Sequence, residues 1–471
     1  MKILQLNDLS FKYDNSQNYI FKNTNLSFKS STLSILYGDS GCGKSTLLKV
    51  MAGFYPKYDN GTVNGQIIIN TTNINNFTEQ QMRTKVAMMF QNPNQQFCMK
   101  NGYDEFIFTL ENMQLNHSEI IDRIKRATNF CKINEILHQP IEELSGGEKQ
   151  RLALAIIYAI DSDIIFLDEP FASIDQEARQ QLIIQLNNLK KLGKTIIIID
   201  HDLSNYNDIV DNIISFDESN SSFKFLNINQ HKLLINKFEQ KINLTCKLPK
   251  NNESILKIKN VSINNGNKEI LKNVNTTLYK NKTTLLTGKN GVGKSTLMNV
   301  LIKMHQFKGQ IILNNKDIGK IKSRKYYQEI GIVFQENDRQ FFKMTVKDEI
   351  NLSLKKTKNM IFSKAEINQF INKLGLNKLY QQVVYSLSDG QKKRLQIIVM
   401  IIMGQSVLLL DEPFKGIDLK NIELIIGILK LAKKRGQTQI IISHQLFELQ
   451  SLIDFHLTLR NKNLIYQEDV K

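Results

Sequence analysis

The sequence predicts an α/β protein of two units in tandem, each a mostly parallel sheet with a lobe of helices inserted into it. Three observations carry the prediction. The chain repeats: Asp168-Glu169-Pro170 and Asp411-Glu412-Pro413, His201 and His444, and Leu144-Ser145-Gly146-Gly147 and Leu387-Ser388-Asp389-Gly390 all stand 243 residues apart. A period this long means duplicated domains rather than a solenoid. Apolar runs of strand length alternate with stretches at helical spacing, the pattern of an open parallel sheet. In each copy one such run leads through G-x-x-x-x-G-K-S into a helix-like segment: Gly38-Asp39-Ser40-Gly41-Cys42-Gly43-Lys44-Ser45 and Gly288-Lys289-Asn290-Gly291-Val292-Gly293-Lys294-Ser295.

Taken in order, the first copy (1–216) opens on the alternating strand Ile3-Leu4-Gln5-Leu6. Residues 33–37 form the strand before the glycine-rich turn and 45–52 the helix after it. Between Gln91 and Ser145, the segments 103–115 and 119–130 place apolar residues three and four apart, which predicts two amphipathic helices. Strands follow at 164–167, ending on Asp168, and at 196–200, before His201. Residues 217–254 are polar and read as a partly ordered connector, with a short strand and helix available within 225–238. The second copy (255–471) restarts on Ile255-Leu256-Lys257-Ile258 and repeats the scheme: strands at 284–287, 407–410 and 440–443, helices at 295–304, 346–354 and 364–374. Its most apolar stretch, 395–410, is interrupted by Gln396, Gly404, Gln405 and Ser406, so it reads as a buried helix followed by a buried strand. Lys44 and Lys294 are 250 apart and Gln91 and Gln335 are 244 apart, so the second copy is shorter mainly between its turn and its glutamine.

Composition bounds the function classes. A 471-residue chain holds two to four ordinary domains, and the repeat sets the main number at two. With 41% hydrophobic and 23% charged residues and no apolar run of about 18, the expectation is a globular chain with no membrane-spanning helix. The N-terminus lacks the basic-then-apolar layout of a secretion signal. Cys42, Cys98, Cys131 and Cys246 are scattered without metal-ligand spacing, which predicts reduced structural thiols in a cytoplasmic protein. The net charge of +17 comes without a dense basic run or an aromatic platform, so it reads as a solvated or membrane-facing surface and no nucleic acid is expected.

The glycine-rich turn has a mechanism. Its glycines let backbone N–H groups curl around a β-phosphate, its lysine reaches the β/γ oxygens, and its serine hydroxyl ligates Mg²⁺. In an open α/β sheet such groups gather at the carboxyl ends of the strands, so Lys44, Asp168 and His201 should converge on one crevice. A glutamate ending a strand for solubility, or a histidine satisfied in a core, is unremarkable once; both duplicated at one spacing argue for chemistry.

The loop, Gln91, Leu144-Ser145-Gly146-Gly147-Glu148, Asp168-Glu169, Asp175 and His201 together resemble an ABC-type ATPase, and the duplication resembles a tandem ABC transporter ATP-binding protein. The resemblance covers nearly all of the chain outside the connector. It implies ATP and Mg²⁺ as cofactors, with Gly38, Ser40, Gly41, Gly43, Lys44, Ser45 and Thr46 on the phosphates in the first copy. Gly288, Asn290, Gly291, Gly293, Lys294, Ser295 and Thr296 do the same in the second. Ser45, Gln91 and Asp168, and Ser295, Gln335 and Asp411, are the implied metal-site residues. Glu169 and Glu412 would orient or deprotonate the attacking water, and His201 and His444 would contact the γ-phosphate. In the family the signature of one domain caps the γ-phosphate of the other, which implies that the two halves pair and gives Ser145, Gly147, Ser388 and Gly390 their role.

Tyr13 stands where the family puts an adenine-stacking aromatic; the bland alternative is an edge-strand tyrosine. The aligned Ile263-Asn264-Asn265-Gly266 has no aromatic, and Asp389 replaces Gly146, so two competent but unequal sites are expected. Gln91-Asn92-Pro93-Asn94-Gln95-Gln96-Phe97 resembles the glutamine loop of energy-coupling-factor importers for vitamins and transition-metal ions; Gln335-Glu336-Asn337-Asp338-Arg339-Gln340-Phe341 is a looser version. That likeness implies integral membrane partners, a transmembrane coupling protein and a substrate-binding component, and a peripheral place on the cytoplasmic face of the cell membrane. The alternative is a soluble, ribosome- or nucleic-acid-associated tandem ABC ATPase. Such proteins typically carry Asp-Glu-Pro-Thr-Asn-His-Leu-Asp, where this chain has Asp168-Glu169-Pro170-Phe171-Ala172-Ser173-Ile174-Asp175.

Overall fold

The computed structural model describes residues 2–470 apart from 15, 172, 173, 175, 240–243, 251, 267, 290, 337–339, 358 and 444–448. The chain divides into two units, Met1–Gln240 and Lys241–Lys471. The first runs β1 (Lys2–Lys12), β2 (Phe21–Lys29), β3 (Leu33–Tyr37), α1 (Lys44–Met51), β4 (Thr62–Ile69), β5 (Thr72–Asn73), α2 (Glu79–Lys85), β6 (Val86–Met89), α3 (Gly102–Glu111), α4 (His117–Cys131), α5 (Gly146–Ile160), β7 (Ile164–Asp168), α6 (Gln176–Lys191), β8 (Thr195–Ile199), β9 (Asn212–Asp217), β10 (Ser222–Phe225) and α7 (Ile228–Glu239). The second runs β11 (Leu244–Thr245), β12 (Ser254–Asn265), β13 (Lys268–Tyr279), β14 (Thr283–Thr287), α8 (Lys294–Leu301), β15 (Lys308–Leu313), β16 (Lys316–Asp317), α9 (Ser323–Glu329), β17 (Ile330–Val333), α10 (Val346–Lys356), α11 (Lys364–Lys373), α12 (Asp389–Met403), β18 (Val407–Asp411), α13 (Leu419–Lys434), β19 (Thr438–Ile442), β20 (Phe455–Arg460), β21 (Asn463–Gln467) and β22 (Asp469–Val470).

Each unit holds the expected parallel sheet. In the first its order is β6-β7-β8-β3-β9, with β10 antiparallel on the edge. In the second it is β17-β18-β19-β14-β20, with β21 antiparallel. The central strands β7, β8, β18 and β19 are buried at every position, as strands covered on both faces must be, and this is why β7, β8 and β18 read as near-continuous apolar runs, while β19 begins with the buried polar pair Thr438 and Gln439. Each unit also has a separate four-stranded antiparallel sheet, β2-β1-β4-β5 and β13-β12-β15-β16, which the sequence reading did not distinguish from the parallel one.

The inserted lobes are α3–α5 and α10–α12. Phe106, Leu110, Ile124 and Leu152 join them to the core of the first unit, and Val346, Ile350, Phe370 and Leu395 to that of the second. α5 and α12 start at Ser145 and Ser388 through reciprocal capping boxes with Glu148 and Gln391, so the signature sequence is also a helix-start signal.

Of the stretch expected to be a connector, β10 and α7 belong to the first unit, where Ile235 enters the core, while β11 pairs with β22 in the second. Among the described residues no helix is long and apolar enough to cross a membrane. All four cysteines are free thiols.

Candidate active site

β3 and β14 run into turns that only glycine fits at several positions. Gly43 and Gly293 take φ 99° and 110°, where a Cβ would stand 2.5 Å from Ile20 Cγ2 and 2.0 Å from Ile270 Cγ2. Each is also the N-cap of the helix that follows, α1 or α8, and offers no side-chain cap, so the first N–H groups of that helix are left for a ligand. Lys44 Nζ donates to the carbonyls of Gly38 and Asp39 at 2.8 and 2.9 Å; Lys294 Nζ donates to those of Gly288 and Lys289 at 2.7 and 3.2 Å. Both lysines are therefore buried struts of their own loops as well as cations at the phosphate position. Asn290 lies outside the described residues.

The neighbouring strand end supplies the carboxylates. Ser45 Oγ donates to Asp168 Oδ1 at 3.1 Å, and in the second unit the Ser295 hydroxyl stands close enough to the Asp411 carboxyl to favour its ionised form. Burial, followed by the charge of Glu169, pushes Asp168 up to about 7; burial also raises Asp411. The donors here are hard oxygens, and Asp411 Oδ1 is buried with no hydrogen-bond partner, so a small oxygen-seeking cation fits the set.

Glu169 and Glu412 both sit at φ 48°, a left-handed backbone rare for any residue with a Cβ. Their N–H groups are tied to Ile199 O and Ile442 O, on the next strand, at 3.0 and 2.9 Å. Glu169 Oε1 lies 3.1 Å from His201 Nε2. Burial works to raise the Glu169 carboxyl, but the His201 imidazole, the Lys44 charge and a hydrogen bond from Gln91 outweigh it and hold the group below the ordinary range. One crevice thus gathers Lys44, Ser45, Gln91, Asp168, Glu169 and His201. His444 lies outside the described residues, as does Asp175. Ser145 spends its N–H and hydroxyl on Glu148, at 2.8 and 2.7 Å, and so stays with its own helix.

Tyr13 and its surroundings exist only in the first unit. Its hydroxyl meets Thr46 Oγ1 at 2.9 Å, and its ring packs edge-on against Phe11 and Tyr55 at 5.0 and 6.0 Å. In the second unit β12 and β13 are joined across 266–267 alone, so the loop that carries Tyr13 has no counterpart. The segment that carries Tyr55, 52–61, is likewise cut to 302–307. The register slip noted in the sequence is largely this excision.

Three kinds of residue escaped the sequence reading. Gln96 folds the glutamine loop back on its strand, accepting from Phe90 N and donating to Met88 O, each at 2.9 Å; Gln340 repeats this in the second unit. Glu105 and Glu349, buried in the lobes, accept two backbone N–H groups apiece at the far end of the loop. Their signal was a pair of acids in the first turn of α3 and α10, Asp104-Glu105 and Asp348-Glu349, matched in both copies.

The third is Lys393, where the first unit has Gln150. It is 1% exposed and donates to the carbonyls of Phe334 and Gln335 at 2.8 and 3.0 Å. Burial, with help from Lys415, brings its ammonium down to about 7 against the upward pull of Asp411, Glu412 and Asp389. The native state therefore bears the full cost of a buried charge below about pH 7. Between there and about pH 10, the unfolded-state value, only the unfolded chain binds that proton, so stability rises with pH. Lys393→Gln is expected to raise the melting temperature of the nucleotide-free protein at pH 6 and by much less at pH 9. Calorimetry at the two pH values checks this; an equal shift at both would exclude it.

Two α/β units, each with a phosphate loop beside a strand-end carboxylate pair, define a nucleoside triphosphatase of the P-loop class. The ABC transporter family model matches residues 21–172 and 271–415, and the chain belongs to that family of ATP-hydrolysing enzymes as a tandem of two of its domains. A Bacillus subtilis protein provisionally named HMP/thiamine import ATP-binding protein YkoD is 28% identical, over 99% of this chain and 91% of its own length. A Treponema denticola protein provisionally named an ABC transporter ATP-binding protein is also 28% identical, over 98% of this chain and 96% of its own. Among solved structures, an RNase-L inhibitor shares the fold at TM-score 0.66 and 18% identity, covering 98% of this chain and 90% of that one. An archaeal ribosome recycling factor, aABCE1, does so at 0.65 and 19%, covering 96% and 87%.

Proposed function

We propose that this chain is the ATP-hydrolysing subunit of a membrane transporter, an energy-coupling-factor type importer of a vitamin or transition-metal ion. It would act on the cytoplasmic face of the membrane with a transmembrane coupling protein and a substrate-binding component. The observation that carries the reading is a groove of about 480 Å³ in the first unit, between the glutamine loop and the helical lobe. Met88, Gln96, Phe97, Phe108, Met113 and Ile156 line it. The glutamine-loop resemblance implies a partner docking beside that loop, and the names of the relatives point the same way.

Each side chain of the crevice has a role in this reading. Lys44 holds β/γ-phosphate oxygens, exchanging loop carbonyls for them. Ser45 and Asp168, already joined by a hydrogen bond, would hold Mg²⁺, which would offset phosphate charge when bound. Glu169, kept ionised by its neighbours, accepts the proton or hydrogen bond of the attacking water, and His201 faces both it and the γ-phosphate. Tyr13 offers the adenine a ring in the first unit alone.

The test is fractionation of cells making the tagged full chain. The protein is expected in the membrane fraction and, after detergent, in a complex with integral membrane proteins identified by mass. Sedimentation with ribosomes and absence from membranes would replace transport by the soluble alternative, leaving the ATPase assignment intact.

A further inference from the structure

The guanidinium of Arg179, on α6, grips the residues on both sides of His201. Nη2 donates to Asp200 Oδ2 at 3.0 Å and to Asp202 O at 2.5 Å; Nη1 donates to Ser204 O at 3.0 Å and stands 3.6 Å from the Asp202 carboxylate. Tyr206 OH donates to the same Asp200 oxygen at 3.0 Å. The guanidinium carbon also lies 5.7 Å from the centre of the Phe171 ring, just after Glu169-Pro170, and 5.5 Å from that of Tyr206. Arg179, Asp200 and Tyr206 are all buried.

Packing does not require these charges. The second unit builds the matching region with Ile422, Ser443 and Leu449, each 243 positions on and each buried. A buried ion pair is in general a weak source of stability compared with apolar residues of similar volume. His201 gives the charges a purpose. Its Nδ1 is buried with no hydrogen-bond partner, and its one side-chain hydrogen bond among the described residues is the 3.1 Å contact with Glu169. The loop that carries the ring is held by Arg179 at the Asp200 carboxylate and at the backbone carbonyls of residues 202 and 204, while Asp200 Oδ1 and Asp202 Oδ1 accept from the N–H groups of Asp202 and Ser204.

We propose that Arg179 is a positioning residue for hydrolysis in the first unit, clamping the loop of His201 so that the imidazole stays on Glu169. The second unit has an isoleucine in its place. This rests on reading His201 and Glu169 as the catalytic pair.

The test uses the full chain carrying Glu412→Gln, so that turnover reports the first unit. Arg179→Met is expected to lower kcat about tenfold while KM and fluorescent-nucleotide affinity stay within about twofold, and Arg179→Lys to recover part of the loss. The triple variant Arg179→Ile, Asp200→Ser, Tyr206→Leu copies the packing of the second unit and should keep the melting temperature but lose kcat alike. A folded triple variant with kcat within about twofold of its parent would overturn the clamp. Parent turnover indifferent to Lys44→Ala would instead overturn the catalytic reading, and the proposal with it.

Discussion

Lys44→Ala and Lys294→Ala are each expected to lower ATP hydrolysis at their own site by tenfold or more, on the order expected when the charge on the transferring phosphoryl group is lost. Two effects add. The ammonium that meets the β/γ oxygens disappears, and so does the strut that ties the loop to its own carbonyls, Gly38 and Asp39 in one unit and Gly288 and Lys289 in the other. Nucleotide affinity should fall along with turnover, because the same side chain holds the loop in shape. Steady-state ATPase and nucleotide binding measured on the single and double variants check this. A double variant working at the native rate would remove both loops from the chemistry.

Glu169→Gln and Glu412→Gln should arrest the reaction later, with ATP bound and unhydrolysed. The amide keeps the size and hydrogen bonding of the carboxylate but cannot take a proton, and general-base catalysis is worth roughly 10²–10⁴-fold. In the first unit the change also removes the negative charge that, after burial, pushes Asp168 upward, so Asp168 should ionise and hold its cation more readily. Trapping of labelled ATP on the double variant, against its loss as ADP from the native chain, reads this directly. The single variants should differ, since Tyr13, Gln150 and Arg179 belong to the first unit and Lys393 and Asp389 to the second. Equal residual rates would exclude the inequality, and native turnover in the double variant would exclude the base.

Much of this was legible in the chain because the physics was local. The phosphate loops, the strands β7 and β18 and the helices α3, α4, α10 and α11 announce themselves through glycine spacing, unbroken apolar runs and three-and-four periodicity. The antiparallel sheets were not legible as separate layers, since strand pairing is a long-range choice that periodicity does not encode. The roles of Gln96, Glu105, Lys393 and Arg179 were hidden for a related reason. Each acts on backbone groups or residues distant in sequence, and a glutamine, glutamate, lysine or arginine in a helix or loop reads by itself as a solvated side chain. The loss of the Tyr13 loop was half visible: the aligned 263–266 lacked an aromatic and the slipped offset showed residues missing further on, between the phosphate loop and the glutamine, though not that the two segments jointly framed one aromatic wall.

Glu169 and Glu412 hold the same left-handed torsion, and for a residue with a Cβ that conformation costs on the order of 1–2 kcal/mol. Glycine would relax it at either position and make the fold more secure, while deleting the carboxylate. Selection for a robust fold and selection for turnover therefore pull in opposite directions on one backbone angle, twice in the same molecule. A copy that had retired from hydrolysis would have no reason to keep resisting that pull. The second unit lacks the aromatic wall and has a lysine beneath its glutamine loop, yet it keeps the strained glutamate, and a second unit that hydrolyses ATP is the outcome this torsion leads one to expect.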